Sequence, residues 1–197
     1  MLLAMLLLAG CGGSEPVIPN PIPAQSQTFP KTGFTVQNEF LYFFERYGGV
    51  DSLGQPISAE MDDGGWRVQY FEYGRLEYHP ENQPAYRVTV GWLGDLLQRR
   101  QPPLAAADIP PANDAGRRYF AETGHTLSGD FLRHFDANGG SVRFGLPISE
   151  PYLLDGRLTQ DLQSARFIWS PAAATPVELE TIGRTHLGQL QKSRPPE

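Results

Sequence analysis

The stretch Leu53-Gly54-Gln55-Pro56-Ile57-Ser58 decides how this chain is organised, because it returns 91 positions later as Phe144-Gly145-Leu146-Pro147-Ile148-Ser149. Toward the N-terminus the same displacement lays Thr32-Gly33 on Thr123-Gly124, Phe40-Leu41 on Phe131-Leu132, Phe44 on Phe135 and Gly48-Gly49 on Gly139-Gly140. Toward the C-terminus it carries Gly65 onto Gly156, Gln69 onto Gln160, Arg75 onto Arg166 and Pro80 onto Pro171. From Phe29 to Pro80, 17 of 52 aligned positions are identical without a gap, too many for chance, and such a repeat sets the architecture before any local pattern does. Farther on, Leu93-Gly94 matches Leu187-Gly188 at a displacement of 94, which predicts three extra residues in the last loop of the second copy.

Each copy reads as a helix followed by short strands. In Val36 to Tyr47 the apolar Val36, Phe40, Phe43, Phe44 and Tyr47 recur every three or four residues, with Thr35 as N-cap and Gly48-Gly49 as the stop. Thr126, Leu127, Phe131, Phe135 and Gly139 repeat this pattern. Strands are expected at Arg67 to Phe71, Arg75 to Tyr78 and Tyr86 to Val90, and at Arg166 to Trp169 and Val177 to Ile182, with turns at Gly65 and Gly156. A closing helix, Leu93 to Arg99 or His186 to Gln191, ends each unit. The expected class is α+β, a tandem duplication of a small helix plus short antiparallel β-strand module. Units of about 70 residues bury too little surface to be stable alone, so the two should pack on a common face.

Composition and flanks bound the function. With 40% hydrophobic residues the 197-residue chain can build a core, while a net charge of -6 and a pI near 5.2, with no Lys/Arg cluster, argue against nucleic acid as a partner. Residues 1–10 are almost wholly apolar and end in Leu8-Ala9-Gly10-Cys11 before the polar Gly12-Gly13-Ser14-Glu15. Ten apolar residues are too few for a hydrocarbon core about 30 Å thick. The pattern resembles a lipobox, which implies an acylated Cys11 and a lipid-anchored, extracytoplasmic protein at the cell membrane or outer envelope. The first basic residue is Lys31, although a signal peptide normally opens on a basic segment, so the true start is expected upstream. Once Cys11 is acylated the rest of the chain holds no thiol, which excludes disulfides, thiolate metal sites and cysteine nucleophiles together. The resulting plan is a signal peptide over 1–10, a Pro-rich tether over 11–28, module 1 over 29–99, a Pro/Ala-rich linker over 100–116, module 2 over 117–192 and a tail over 193–197.

Leu53-Gly54-Gln55-Pro56 followed by Gln69-Tyr70-Phe71-Glu72-Tyr73-Gly74-Arg75-Leu76-Glu77-Tyr78-His79-Pro80 resembles the LGFP-type repeat of bacterial envelope proteins. Phe144-Gly145-Leu146-Pro147 and Ala165-Arg166-Phe167-Ile168-Trp169-Ser170-Pro171 are similar to it as well. The longer unit, with its Thr-Gly helix in front and its Leu-Gly segment behind, also resembles repeats in secreted and surface proteins of filamentous Chloroflexi-type bacteria. The resemblance implies a non-catalytic envelope role: a binding or scaffolding module for a cell-wall or surface glycan or an envelope protein.

Candidate chemistry is thin. The four histidines are scattered, and Asp130 with His134 gives one i,i+4 pair where a metal site needs three or four ligands. No G-x-S-x-G elbow is present, and Ser58 and Ser149 read as turn residues. The alternative function, a minimal or degenerate hydrolase, would draw a carboxylate pair from Glu39, Glu45, Glu60, Glu72 and Glu77; Glu39 recurs as an acid in Asp130. Asp62-Asp63-Gly64-Gly65 reads as a hairpin turn rather than a calcium loop. No cofactor is expected. The repeated Gln69/Gln160 and Arg75/Arg166 suit backbone carbonyls at the join of helix and sheet, or else a sugar or acidic polymer. The expected ligand-binding set is Trp66, Tyr73, Arg75, Arg166 and Trp169, since aromatic faces stack on sugar rings and Arg donates in a rigid fork.

Overall fold

The structure, a computed structural model, describes residues 24–173 and 175–193. The signal segment, Cys11 and most of the tether lie outside the described residues. Copy one opens with a hairpin of β1 (Ser26–Thr28) and β2 (Thr35–Gln37), then α1 (Asn38–Arg46) and α2 (Gly49–Leu53). A four-stranded antiparallel sheet follows in chain order, β3 (Met61–Asp63), β4 (Trp66–Phe71), β5 (Gly74–Tyr78) and β6 (Val88–Val90), closed by α3 (Leu93–Leu96). Copy two begins with β7 (Arg117–Phe120), β8 (His125–Ser128), α4 (Gly129–Ala137) and α5 (Gly140–Phe144). Its sheet is β9 (Tyr152–Leu154), β10 (Arg157–Asp161), β11 (Arg166–Trp169) and β12 (Val177–Leu179), and α6 (Ile182–Ser193) ends the chain. The fold is α+β and duplicated: α1 with α4, α2 with α5 and β3 with β9 have the same bounds 91 positions apart.

Two expectations at the helix entry are corrected. Thr35 is not an N-cap but a strand residue paired with Thr28, and the helix begins at Asn38. Val36, fully buried, joins the core from a strand, so its helix-like spacing to Phe40 was coincidental. Asn38 (φ 50) and Gly129 (φ 55) make the turn from strand to helix in a left-handed conformation that Asn and Gly adopt most readily. β1, at Ser26–Thr28, falls in the end of the expected tether and pairs with β2.

The last loop is also corrected. β6 and α3 correspond to β12 and α6 at a displacement of 89, so Leu93-Gly94 is matched by Ile182-Gly183 and the second loop is two residues shorter, not three longer. Packing explains why these glycines correspond. A Cβ on Gly94 would lie 2.2 Å from Leu162 O, and one on Gly183 would lie 1.9 Å from Phe71 O, whereas Gly188 meets nothing within 4 Å. Gly94 N donates to Gln163 O at 2.7 Å and Gly183 N to Glu72 O at 3.1 Å. Each closing helix thus seats on the sheet turn of the other copy. This reciprocity is what a two-fold relation between two copies produces.

Alternation along β4 sorts the cores. Phe71 faces α1 with Phe29, Val36, Phe40, Phe44, Leu53, Leu76 and Val90, while Val68 and Tyr70 face Leu93, Ile182 and Leu187 of the two closing helices. Copy two has its own core of Leu127, Phe131, Phe135, Phe144, Leu162 and Phe167. Gln69 and Gln160 are fully buried and do one job: Nε2 of Gln69 donates to Thr35 O and Ser58 O, and Nε2 of Gln160 to Thr126 O and Ser149 O. Ser58 Oγ accepts from Tyr70 N at 3.0 Å and Ser149 Oγ from Asp161 N at 2.9 Å. These repeated polar residues tie helix entry, Pro-Ile-Ser segment and sheet together.

Candidate functional site

The repeated arginines sit in two versions of one polar cluster. Arg75 Nη1 donates to Asp63 Oδ2 at 2.8 Å and to Tyr70 Oη at 3.0 Å, and Nε donates to Glu77 Oε1 at 2.9 Å. Arg166 Nε donates to Asp161 Oδ1 at 2.7 Å and Nη2 to Tyr152 Oη at 3.0 Å. Tyr and Asp have exchanged strands between the copies, since Tyr70 corresponds to Asp161, yet the Tyr-Asp-Arg triad is rebuilt. Burial pushes both phenols up to about 12, so they remain donors. The other copy contributes a cap to each: His186 Nδ1 lies 2.9 Å from Tyr70 Oη, and Arg99 pairs with Glu180 at 2.9 Å beside Asp161. Arg166 is enclosed in these ion pairs.

Copy one adds something on the solvent side of its cluster. A cleft of about 460 Å³ is lined by Trp66, Arg75, Glu77, His79, Asn82, Thr89, Val90, Trp92, Asp95 and Leu96. The turn after β5 brings His79 back over Trp66, ring centroids 4.1 Å apart, and sets its Nε2 3.3 Å from Glu77 Oε2. At the opposite rim Trp92 is 57% exposed and Leu96 52%, an apolar step beside Asp95. Gly91 lets Glu77 and Arg75 pack against its backbone, because a Cβ there would meet Glu77 Oε1 at 2.3 Å and Arg75 Nε at 3.0 Å. The volume falls within the range of small-ligand sites, and aromatic walls around a few polar groups are the usual make-up of such sites.

The five expected binding residues do not form one site. Trp66 and Arg75 line the cleft. Tyr73 lies in a separate groove at the seam between copies, beside Glu72, Ser52 and His134. Trp169 is on copy two, its Nε1 donating to Asp130 at 2.9 Å, which also engages the acid of the proposed Asp130/His134 pair. Trp92, His79, Asn82 and Asp95 escaped the sequence reading. A displacement of 94 pairs Trp92 with His186, whereas the observed 89 pairs it with Thr181 and exposes an aromatic present in one copy alone. Among the described residues no group of three or more His, Cys, Asp or Glu is placed to hold a metal. No family model matches the chain, and a search of curated proteins finds no significant match.

Proposed function

We propose that the chain is a non-catalytic binding lipoprotein of the envelope, held through Cys11 and presenting the Trp66–Trp92 cleft to a cell-wall or surface glycan. The observation that carries this reading is the asymmetry of the duplication. Both copies keep the residues that hold the fold, Gln69/Gln160, Ser58/Ser149 and Arg75/Arg166. At the cleft, copy two replaces Trp66 by Arg157, Glu77 by Ile168, His79 by Ser170, Trp92 by Thr181 and Leu96 by Thr185. Scaffolding needs are met in both copies, so the extra aromatics and acids of copy one serve another purpose. Half-exposed indole rings stack on the C–H faces of sugars, and carboxylates and amides accept or donate to hydroxyls.

Residues 12–197, titrated calorimetrically against a glycan panel, test the reading. Trp92→Ala should weaken binding at least about tenfold without moving the melting temperature, since an exposed ring contributes little to folding. A chain that binds no glycan, or a Trp92→Ala variant that binds as well as the parent, overturns it. For the anchor, Cys11→Ala should abolish acylation in membrane fractions examined by mass spectrometry; an unmodified Cys11 in the mature parent protein would refute it.

A further inference from the structure

Resting on the glycan reading, we infer that the cleft takes a sugar chain free of acid groups, a neutral hexose or N-acetylated hexosamine chain, and rejects uronic-acid and phosphate polymers. The cations around the cleft are engaged by the protein's own acids. Recognition of a carboxylate or phosphate relies on a guanidinium fork or an ammonium that is available to the ligand. On the cleft floor Arg75 has all three nitrogens engaged: Nε and Nη2 with Glu77, and Nη1 with Asp63 and Tyr70. At the rim Arg100 is forked onto Asp95, Nε to Oδ1 at 2.8 Å and Nη2 to Oδ2 at 2.9 Å. Arg87 donates its Nε to Asn82 O and lines a separate pocket with Glu39, Tyr42 and Phe43, away from the cleft lining.

What remains is acceptor-rich. Asp63, Glu77, Glu81 and Asp95 give four negative charges against two positive from Arg75 and Arg100, a balance of -2 with His79 counted neutral. Glu81, 53% exposed on its side chain, stands beside His79 at the mouth. An incoming acid would meet this field without a partner to replace its water, whereas a sugar hydroxyl can donate to Glu77, Asp95 or Glu81 while its ring covers Trp92. Leu96, next to Trp92, offers apolar surface that suits an acetamido methyl group.

The test compares residues 12–197 with four probes at low salt: cellohexaose, N-acetylchitohexaose, an oligogalacturonate of the same length and a glycerol-phosphate oligomer. One of the first two should bind, and both acidic probes should bind at least about tenfold more weakly, the gap narrowing as salt rises and screening shortens. Glu81→Lys and Asp95→Asn, both at the rim, should tighten binding of the acidic probes and so reduce that gap by about threefold or more. Acidic probes that bind as tightly as the neutral ones, or a gap that neither variant alters, overturn the inference and leave the glycan reading standing. Silence with all four probes and with the wider panel defeats that reading itself.

Discussion

Arg143 and Ser52 hold the same place in the two copies, 91 residues apart, and they touch: Arg143 Nε donates to Ser52 Oγ at 2.8 Å and Nη2 to Ser52 O at 2.6 Å. Equivalent residues meet in this way on the axis that relates two copies. Arg143 is fully buried, gives a further hydrogen bond to Tyr73 O at 3.3 Å and, among the described residues, has no carboxylate partner. Burial alone pulls its guanidinium down to about 9.

Arg143→Ala should therefore cost about 2–4 kcal/mol, from the cavity and the three lost hydrogen bonds at the seam. Arg143→Met keeps most of the volume without a buried charge and should lie within about 1 kcal/mol of the parent. The sign of the pH effect follows from the folded value lying well below the ordinary value of an arginine in the unfolded chain. The penalty of holding the cation is complete below about 9 and is relieved as pH rises above it, by up to about 1.4 kcal/mol per pH unit. Urea midpoints of parent and Arg143→Met, compared from pH 8 to 10.5, should shift in favour of the parent; a constant difference contradicts the assignment.

Gly94→Ala and Gly183→Ala should each lower stability by several kcal/mol, because the new methyl group meets backbone oxygen of the other copy rather than a side chain that can turn away. Gly188→Ala, in the same helix with open space around it, should be neutral or gain up to about 1 kcal/mol from helix propensity. If Gly188→Ala proves the damaging change, the correspondence at 89 is wrong.

Those glycines mark where the sequence was legible and where it stopped. The duplication, the buried Phe40, Phe44, Phe131 and Phe135 and the left-handed Gly48 (φ 91) and Gly139 (φ 99) all follow from residues that recur in both copies. β10 escaped because Arg157-Leu158-Thr159-Gln160-Asp161 alternates weakly: its Thr159 and Asp161, on the face opposite Gln160, are buried rather than in solvent, Asp161 beside the other copy's Arg99. Contacts between copies leave no periodic mark, so a polar strand face buried by a partner reads as a loop. The cleft was half visible for the same kind of reason. Trp66 lies inside the aligned segment, whereas Trp92 lies beyond the loop where the register changed.

Gln69→Ala and Gln160→Ala should be equally damaging, each by about 1–3 kcal/mol, because each strands two buried carbonyls in the same way. Thermal melts of the two variants provide the comparison. A large difference between them would mean that the two joins of helix and sheet are not energetically equivalent.

His134 offers the reverse case, a site where copying one module into the other should improve the chain. Its counterpart in copy one is Phe43, buried at 6% exposure, and His134 packs in the same setting, 5.0 Å from the Phe167 ring and 5.6 Å from Phe144. Among the described residues its Nε2 is buried without a hydrogen-bond partner, so the imidazole bears a desolvation cost that a phenyl ring does not. His134→Phe should stabilise by about 1 kcal/mol at pH 7. Burial, aided by Arg143, also holds the His134 pKa below its ordinary 6.5. A depressed imidazole means that the unfolded chain binds the proton more readily, so the parent loses stability as pH falls through 6.5 toward the folded value. The advantage of His134→Phe should accordingly widen between pH 7 and pH 5. His186, lowered by burial and by Arg75, titrates in the same direction in both proteins and cancels from the difference. Paired melts across that range decide the matter: an advantage that stays flat or shrinks on acidification would show that the imidazole is not desolvated as its packing requires.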